Sequence, residues 1–542
     1  MRITLFNKAF LVPCFFLTTF FICNSPVVYA QSSFAIQIDT APITVMPAWH
    51  SGAVSHHNGY WILIGGRVNG LHGFQPANGF PLAGANQNIY VIDYKNDVVY
   101  SQSVAAYNSA LYDHLTASSY QFLQRDSILY ISGGYGFGSA SFDYITFPLL
   151  TAVNLNRLIS DVISQTSAEA LFKTYTDTVM AVTGGQMMLR DNRFSIVFGH
   201  RFDGYYSEND SSGFYVQHYT NQIRSFEIID TNNYLGIANY TTVYDSLNFH
   251  RRDYNLVPQI FPNGKPGHTA FTGVFRYEAD LPFLDCINID SAGSWQLIPN
   301  FNQNLNQYHT ATMPVYDAVN NDMHNVFFGG MSLYYLDSIT SQPVIDTMVP
   351  FVNTISKVVR KSDSSMVESA FGVRMPALLG TNAHFIPADG VDMYDNGVIK
   401  LNALSGNTLV GYIAGGIKSP APNISKTGVW VSSAVSTVYR VWVDPSATKI
   451  NDLPVTNTIY DLIVYPNPAA DYFTFQFNAI NAGEAVATLY EVGSTRTIWK
   501  KKIQLLKGSN KFLIDQVRLS AGTYAVEVEF EQLKKATILK IE

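Results

Sequence analysis

A few side chains able to do chemistry recur at comparable places along this chain. His50, His114, Arg251, Arg252, His309 and His384 each open a stretch that runs from polar to apolar. Arg67, Tyr135, Arg201, Arg276 and Lys418 each follow shortly after a glycine. Guanidinium and imidazole groups hold carboxylates and sugar hydroxyls through planar, charge-assisted hydrogen bonds. Brought to one rim, Arg67, His50, His114, Arg201, Arg252, His309 and His384 would form a ring of such donors. Tyr205 and Tyr206, in RFDGYYSENDSSGFYVQHYT, add rings that stack on sugars or on a partner's side chains. Polar residues at strand ends also serve simply to satisfy buried backbone and water, and spacing alone leaves that alternative open.

Other chemistries find little support. There is no Gly-x-Ser-x-Gly elbow, His-Glu-x-x-His pair or phosphate-loop lysine. Cys286 alternates with apolar residues in LDCINID and reads as core. His56 and His57 are adjacent and so point to opposite faces of a strand. Asp389, Asp392 and Asp395 miss the calcium-loop spacing. Asp290 in DSAGSW reads as a turn. No metal and no cofactor is expected.

The elements that must position the first set repeat. An apolar strand ending in glycine occurs at YWILIGG, SILYISGG, RFSIVFGH, HTAFTG, HNVFFGG and LVGYIAGG. The marker glycines Gly65, Gly133, Gly199, Gly273, Gly329 and Gly415 lie 68, 66, 74, 56 and 86 residues apart. A strand with a polar start precedes each copy. An alternating strand such as QNIYVIDY or STVYRVWVD follows it past a loop. Gly65-Gly66 is no phosphate cradle, because another strand follows it and not a helix. Several strands per unit, repeated about an axis, describe propeller blades.

The order of polar strand, strand ending in Gly-Gly and aromatic-rich strand resembles kelch repeats. The likeness covers about residues 45 to 445 and weakens at Gly199-His200 and at the single Gly273. It implies an all-β chain, a six-bladed kelch-like β-propeller with the first strands lining a channel, followed by a small β-sandwich. Phe34–Asp39 is placed to supply the outer strand of the last blade and close the ring.

The two ends carry addresses. Arg2, Lys8 and LVPCFFLTTFFIC, then Val28-Tyr29-Ala30, fit a signal peptide over 1–30 with cleavage after Ala30. The rival, a lipoprotein acylated at Cys23, lacks the small residue that should precede the cysteine. No later run is long enough for a transmembrane helix. The formal charge of −7 becomes −9 once Arg2 and Lys8 are removed, which argues against nucleic acid as a partner. Residues 31–445 read as the propeller, 446–458 as a linker and 459–542 as a second domain. In the last, Tyr465-Pro466-Asn467-Pro468, the SAGTY hairpin and a basic final strand resemble the C-terminal sorting domain of the Bacteroidetes type IX secretion system. That resemblance implies export to the cell surface or medium, with the secretion machinery as a partner.

Seven tripeptides place Ser or Thr between Asp and an apolar residue, at Thr40, Ser127, Thr178, Ser246, Ser291, Ser338 and Thr347. They resemble the O-glycosylation sequon of exported Bacteroidetes proteins, and Asp-Ser and Asp-Thr are equally common turn formers. The functional expectation is a secreted or surface binding protein that recognises a carbohydrate or envelope protein through one propeller face. A sugar epimerase, mutarotase or lyase on the same scaffold is the alternative.

Overall fold

The computed structural model describes residues 3–4, 30–31, 33–73, 79–207, 213–277, 279–337, 343–423, 432–446, 451–455, 459–479, 481–492, 496–515, 519–530 and 533–542. Almost all of the expected signal peptide therefore lies outside the described residues, as do Ser338 and parts of the 446–458 linker.

The chain is all-β, a six-bladed propeller followed by a β-sandwich. The first blade shows how sequence makes the unit. Its strands Ala53–His57, Tyr60–Ile64, Asn88–Asp93 and Val98–Ser103 pair antiparallel in chain order. Asn58 and Gly59 join the first two with left-handed backbone (φ +49° and +80°), the conformation a two-residue hairpin with right-handed twist requires. Trp61, Ile62, Leu63 and Ile64 are all fully buried. A central blade strand is covered on both faces, so it reads as an unbroken apolar run.

The two faces bind different neighbours. Ile62 and Ile64 pack with Leu129, Ile131 and Val153 of the second blade. Trp61 and Leu63 pack with Ile386 and Ala414 of the sixth. Each fully buried aliphatic side chain contributes about 1.5–3 kcal/mol, and the alternation spreads that gain evenly around the ring.

The later blades begin with strands Gln121–Arg125, Gln186–Arg190, Asn255–Ile260, Ala311–Asp317 and Leu378–Pro387. The sixth takes its outer strand from the N-terminal side: Ala35–Thr40 pairs antiparallel with Tyr439–Asp444, with Ile38 opposite Val441. Arg440 fastens this seam with two hydrogen bonds to Asp39, of 2.7 and 2.6 Å.

Two local expectations change. The strand read in FPLLTAVNLNRL stops at Asn154, whose side chain accepts from the Arg157 N–H (3.1 Å) and caps the helix Leu155–Ile163. His114 does not open a strand; it lies on the helix Ser109–Leu115 that precedes the second blade. The tail forms two four-stranded sheets: Thr497–Leu505, Gly483–Glu491, Gly522–Phe530 and Leu533–Ile541 in one; Gly508–Ile514, Phe473–Ala479 and Ile459–Tyr465, with Ile3–Thr4 on their free edge, in the other.

Candidate functional site

In every blade the second strand ends in two consecutive left-handed residues. They are Gly65-Gly66, Gly133-Gly134, Phe198-Gly199, Thr272-Gly273, Gly329-Gly330 and Gly415-Gly416, with φ between +49° and +105°. The repeat register in the third and fourth blades is thus Phe198-Gly199 and Thr272-Gly273, one residue earlier than the glycine pattern suggests. The first position is tight as well as left-handed. A Cβ on Gly133 would meet the Val182 carbonyl at 2.0 Å, and one on Gly329 the Leu379 carbonyl at 1.9 Å. The second position docks the next blade: the Gly66, Gly134, Gly199 and Gly416 N–H groups donate to Ala117, Val182, Arg251 and Trp49 carbonyls at 2.8–2.9 Å.

This double bend sets two residues per blade side by side. The residue after the bend bridges the residue approaching the first strand: His50 with Arg67, Ser118 with Tyr135, Thr183 with His200, Arg252 with Val274, Tyr308 with Met331, and Thr381 with Ile417. The next residue in each blade is again left-handed: Ser51, Ser119, Gly184, Asp253, His309 and Asn382, with φ from +47° to +64°. Backbone bonds link these across blades, from the Ser119 N–H to Ser51 (2.7 Å), Asp253 to Gly184 (2.8 Å) and Asn382 to His309 (2.7 Å). All eighteen residues line one cavity of about 390 Å³. Phe80, Phe202, Tyr206, Tyr215 and Phe275 add apolar walls.

An ion pair sits where the fourth blade meets the fifth. Arg252 Nη1 lies 2.6 Å from Asp253 Oδ2, and His309 Nδ1 lies 3.5 Å from Asp253 Oδ1. The Tyr219 hydroxyl accepts from Arg252 Nε (3.3 Å) and from the Phe275 N–H (3.1 Å). Burial alone would raise the Asp253 carboxyl, but Arg252, His309 and His200 outweigh it and hold the group well below the ordinary carboxylate range. Burial would likewise lower Arg252, and Tyr219 and Asp253 carry it above the usual guanidinium value. The pair is therefore ionised across the whole neutral range.

The imidazoles that the first and third blades bring to the cavity stay neutral. Burial pushes His50 down to about 3, with Arg67 adding to it, and His200 well below its usual value. Neutral His50 donates from Nε2 to the Asn69 carbonyl (2.9 Å) and accepts at Nδ1 from Ser51 (2.8 Å). Arg67 donates to Asn69 Oδ1 (3.0 Å) and the Pro81 carbonyl (2.8 Å) and lies over Phe80; burial lowers it to about 10.

Of the residues singled out from sequence, His50, Arg67, Tyr135, Arg252, His309 and Tyr206 meet in this cavity. The others sit elsewhere. His114 is fully buried, bonded to Thr151 Oγ1 (2.8 Å) and the Gly133 carbonyl (3.0 Å). His384 is mid-strand, between the Trp49 and Phe122 rings. Arg201 points outward to Asp203 at 2.6 Å, because the bend places its neighbour His200 at the cavity. Tyr205 rests on the Tyr144 ring outside the lining. Asp253, Tyr308 and His200 were not singled out; Asp253 directly follows Arg252 in RRDY, where aligning the six strand starts would have found it.

Cys286 is fully buried, and among the described residues no group of three or more His, Cys, Asp or Glu is arranged to hold a metal. Asp389 instead binds His56 (3.1 Å), Tyr94 (2.7 Å) and Lys95 across the seam between the sixth and first blades. In the sequon-like tripeptides, Asp177, Asp245 and Asp346 accept backbone N–H groups two residues on, at 2.9 Å, so each forms a turn.

The tail motif has its own geometry. Asn467 donates to the Ile538 carbonyl (3.0 Å) and accepts from the Lys540 N–H (2.8 Å), tying Tyr465-Pro466-Asn467-Pro468 to the final strand. Residues 463–541 match the secretion system C-terminal sorting domain. The sorting domain marks a chain secreted to the cell surface or outside and implies contact with the type IX machinery. It sits against the propeller through Tyr490, Ala525 and Ile538, which pack with Leu281, Leu305, Leu333 and Tyr334. Among the described residues no helix is long and apolar enough to cross a membrane. No curated protein matches the chain. A solved structure described as "Structure of YjhT" aligns with 75% of this chain and 99% of its own, at 11% identity and a TM-score of 0.41.

Proposed function

We propose that this protein is an exported, kelch-type propeller whose axial cavity binds a carbohydrate. The observation that carries the reading is the convergence of Arg252, Asp253 and His309 with Phe80, Tyr206 and Tyr215 in one 390 Å³ cavity. A concave, mostly pre-formed site with aromatic walls and a few fixed polar groups suits a small ligand better than a flat protein surface. Aromatic faces take the apolar side of a sugar ring, while the Arg252–Asp253 pair and His309 take its hydroxyls. Export to the surface would present this face to extracellular glycans. Recognition of an envelope protein through the same face is the weaker form of the proposal, since the cavity is recessed.

A second reading, a sugar epimerase or mutarotase, draws on one specific feature. Asp253 and His309 keep about a fifth to a quarter of their side-chain surface open and lie close enough to share a proton with one substrate atom. Glycan-array binding by the full chain, compared with Arg252→Ala and His309→Ala, tests the site. Loss of binding in both is expected; binding unchanged in both would overturn it. Turnover of a bound sugar, followed by NMR of its anomeric or epimeric protons, separates the enzyme from the binder.

A further inference from the structure

We infer that Asn451–Val455, within the stretch that composition marks as linker, is a strap belonging to the propeller, and that the joint to the sorting domain lies after Val455. The strap pairs antiparallel with the outer strand of the fifth blade, Met366–Arg374, setting Val455 opposite Glu368 and Leu453 opposite Ala370. On its other side Gln31 pairs with Asn451, so the strap is held between the blade and the N-terminal segment.

What fastens it is a buried charge. Lys357, on the neighbouring strand Phe351–Arg360, has only 3% of its side chain exposed and meets Asp452, 2% exposed, at 2.6 Å. The Phe34 and Phe371 rings lie 5.4 and 4.8 Å from the ammonium. Aromatic faces soften the burial of a cation but do not neutralise it. Removing one partner of a buried ion pair leaves the other uncompensated, whereas replacing both with apolar residues is often neutral. Asp452 is thus the carboxylate through which the strap steadies the buried Lys357. Phe34, which covers the same ammonium, directly precedes the strand that closes the ring, so strap and closing strand share one lock.

Hydrogen exchange on the intact chain tests the inference. The amides of 451–455 should exchange with the fifth blade and more slowly than the sorting domain opens; exchange in step with the sorting domain overturns it. Asp452→Ala should lower the propeller's unfolding midpoint by roughly 5 °C or more and speed exchange in 35–40 and 366–374, leaving the sorting domain's transition in place. The pair Lys357→Met with Asp452→Leu should recover most of that loss. An unmoved midpoint in Asp452→Ala, or a double variant no better than the single one, overturns the counter-ion role.

Discussion

Asp253 and His309 occupy the same position in successive blades, both with left-handed backbone, and their side chains meet at 3.5 Å beside the axis. The other four blades place Ser51, Ser119, Gly184 and Asn382 there. The repeat therefore supplies six equivalent seats, and the sequence puts ionisable side chains at only two of them. Asp253→Asn should remove the charge that holds both Arg252 and His309. Affinity for the ligand should fall roughly tenfold to a hundredfold, the scale of a hydrogen bond to a charged group, and the unfolding midpoint should fall as well, because the ionised Asp253 paired with Arg252 also stabilises the fold. Calorimetric titration beside a thermal melt checks both halves.

Tyr219 stands behind the cavity and acts through Arg252. Tyr219→Phe keeps the ring stacked on His250, at 3.7 Å between centroids, while deleting the hydroxyl that accepts from Arg252 Nε and the Phe275 N–H. Binding should weaken by about tenfold or less, equivalent to about 1 kcal/mol, and an Arg252→Ala background should abolish the effect. A double-mutant cycle read by titration decides whether the two are coupled.

The double bend predicts a sharp contrast between glycines. Gly329→Ala would drive a methyl into the Leu379 carbonyl and should cost roughly 3 kcal/mol or more. Gly372 is exposed, with nothing within 4 Å of an added Cβ, so Gly372→Ala should be nearly silent. Denaturant melts of the two variants measure the difference.

Acid should loosen the ring before it empties the charged side of the site. Burial lowers His50 to about 3 and His114 to about 4, against 6.5 unfolded. The unfolded chain then binds more protons as pH falls through 6.5, so each side chain removes about 1.4 kcal/mol of stability per pH unit down to its folded value. Asp253 works in the opposite window: its folded value lies below 3.8, so its contribution persists above that pH and is lost only beneath it. Stability should decline from pH 6.5 to 4 with a shallower slope in His114→Gln.

Export offers the test of the tail. A chain ending before residue 463 should remain in the periplasm, and cell fractionation with an antibody to the propeller locates it. Asn467→Ala, which frees the Ile538 carbonyl and the Lys540 N–H, should reduce surface delivery while leaving the propeller's melt unchanged. Surface delivery without residues 463–541 would count against the sorting role.

By itself the sequence determined the class of fold, the closing strand and the sorting tail. Each is written in local signals: apolar runs ending in glycine, period-two alternation, a motif of four consecutive residues. It also pointed to the residue one position beyond the glycines as facing the channel, where Arg67 lines the cavity. Only the tertiary structure decided which polar residues share the cavity. His114 and His384 resemble His50 in sequence, yet a helix and a mid-strand position send them into the core. Arg201 loses its place to His200 because the left-handed pair can be Phe198-Gly199, with the bend one residue earlier than the glycine spelling implies. The strap, too, is invisible in composition, since Asp452 in a polar linker pairs with a buried Lys357 that stands 95 positions away. A side chain's direction depends on backbone handedness at a single residue, and its charge on what covers it; both are properties of the closed ring.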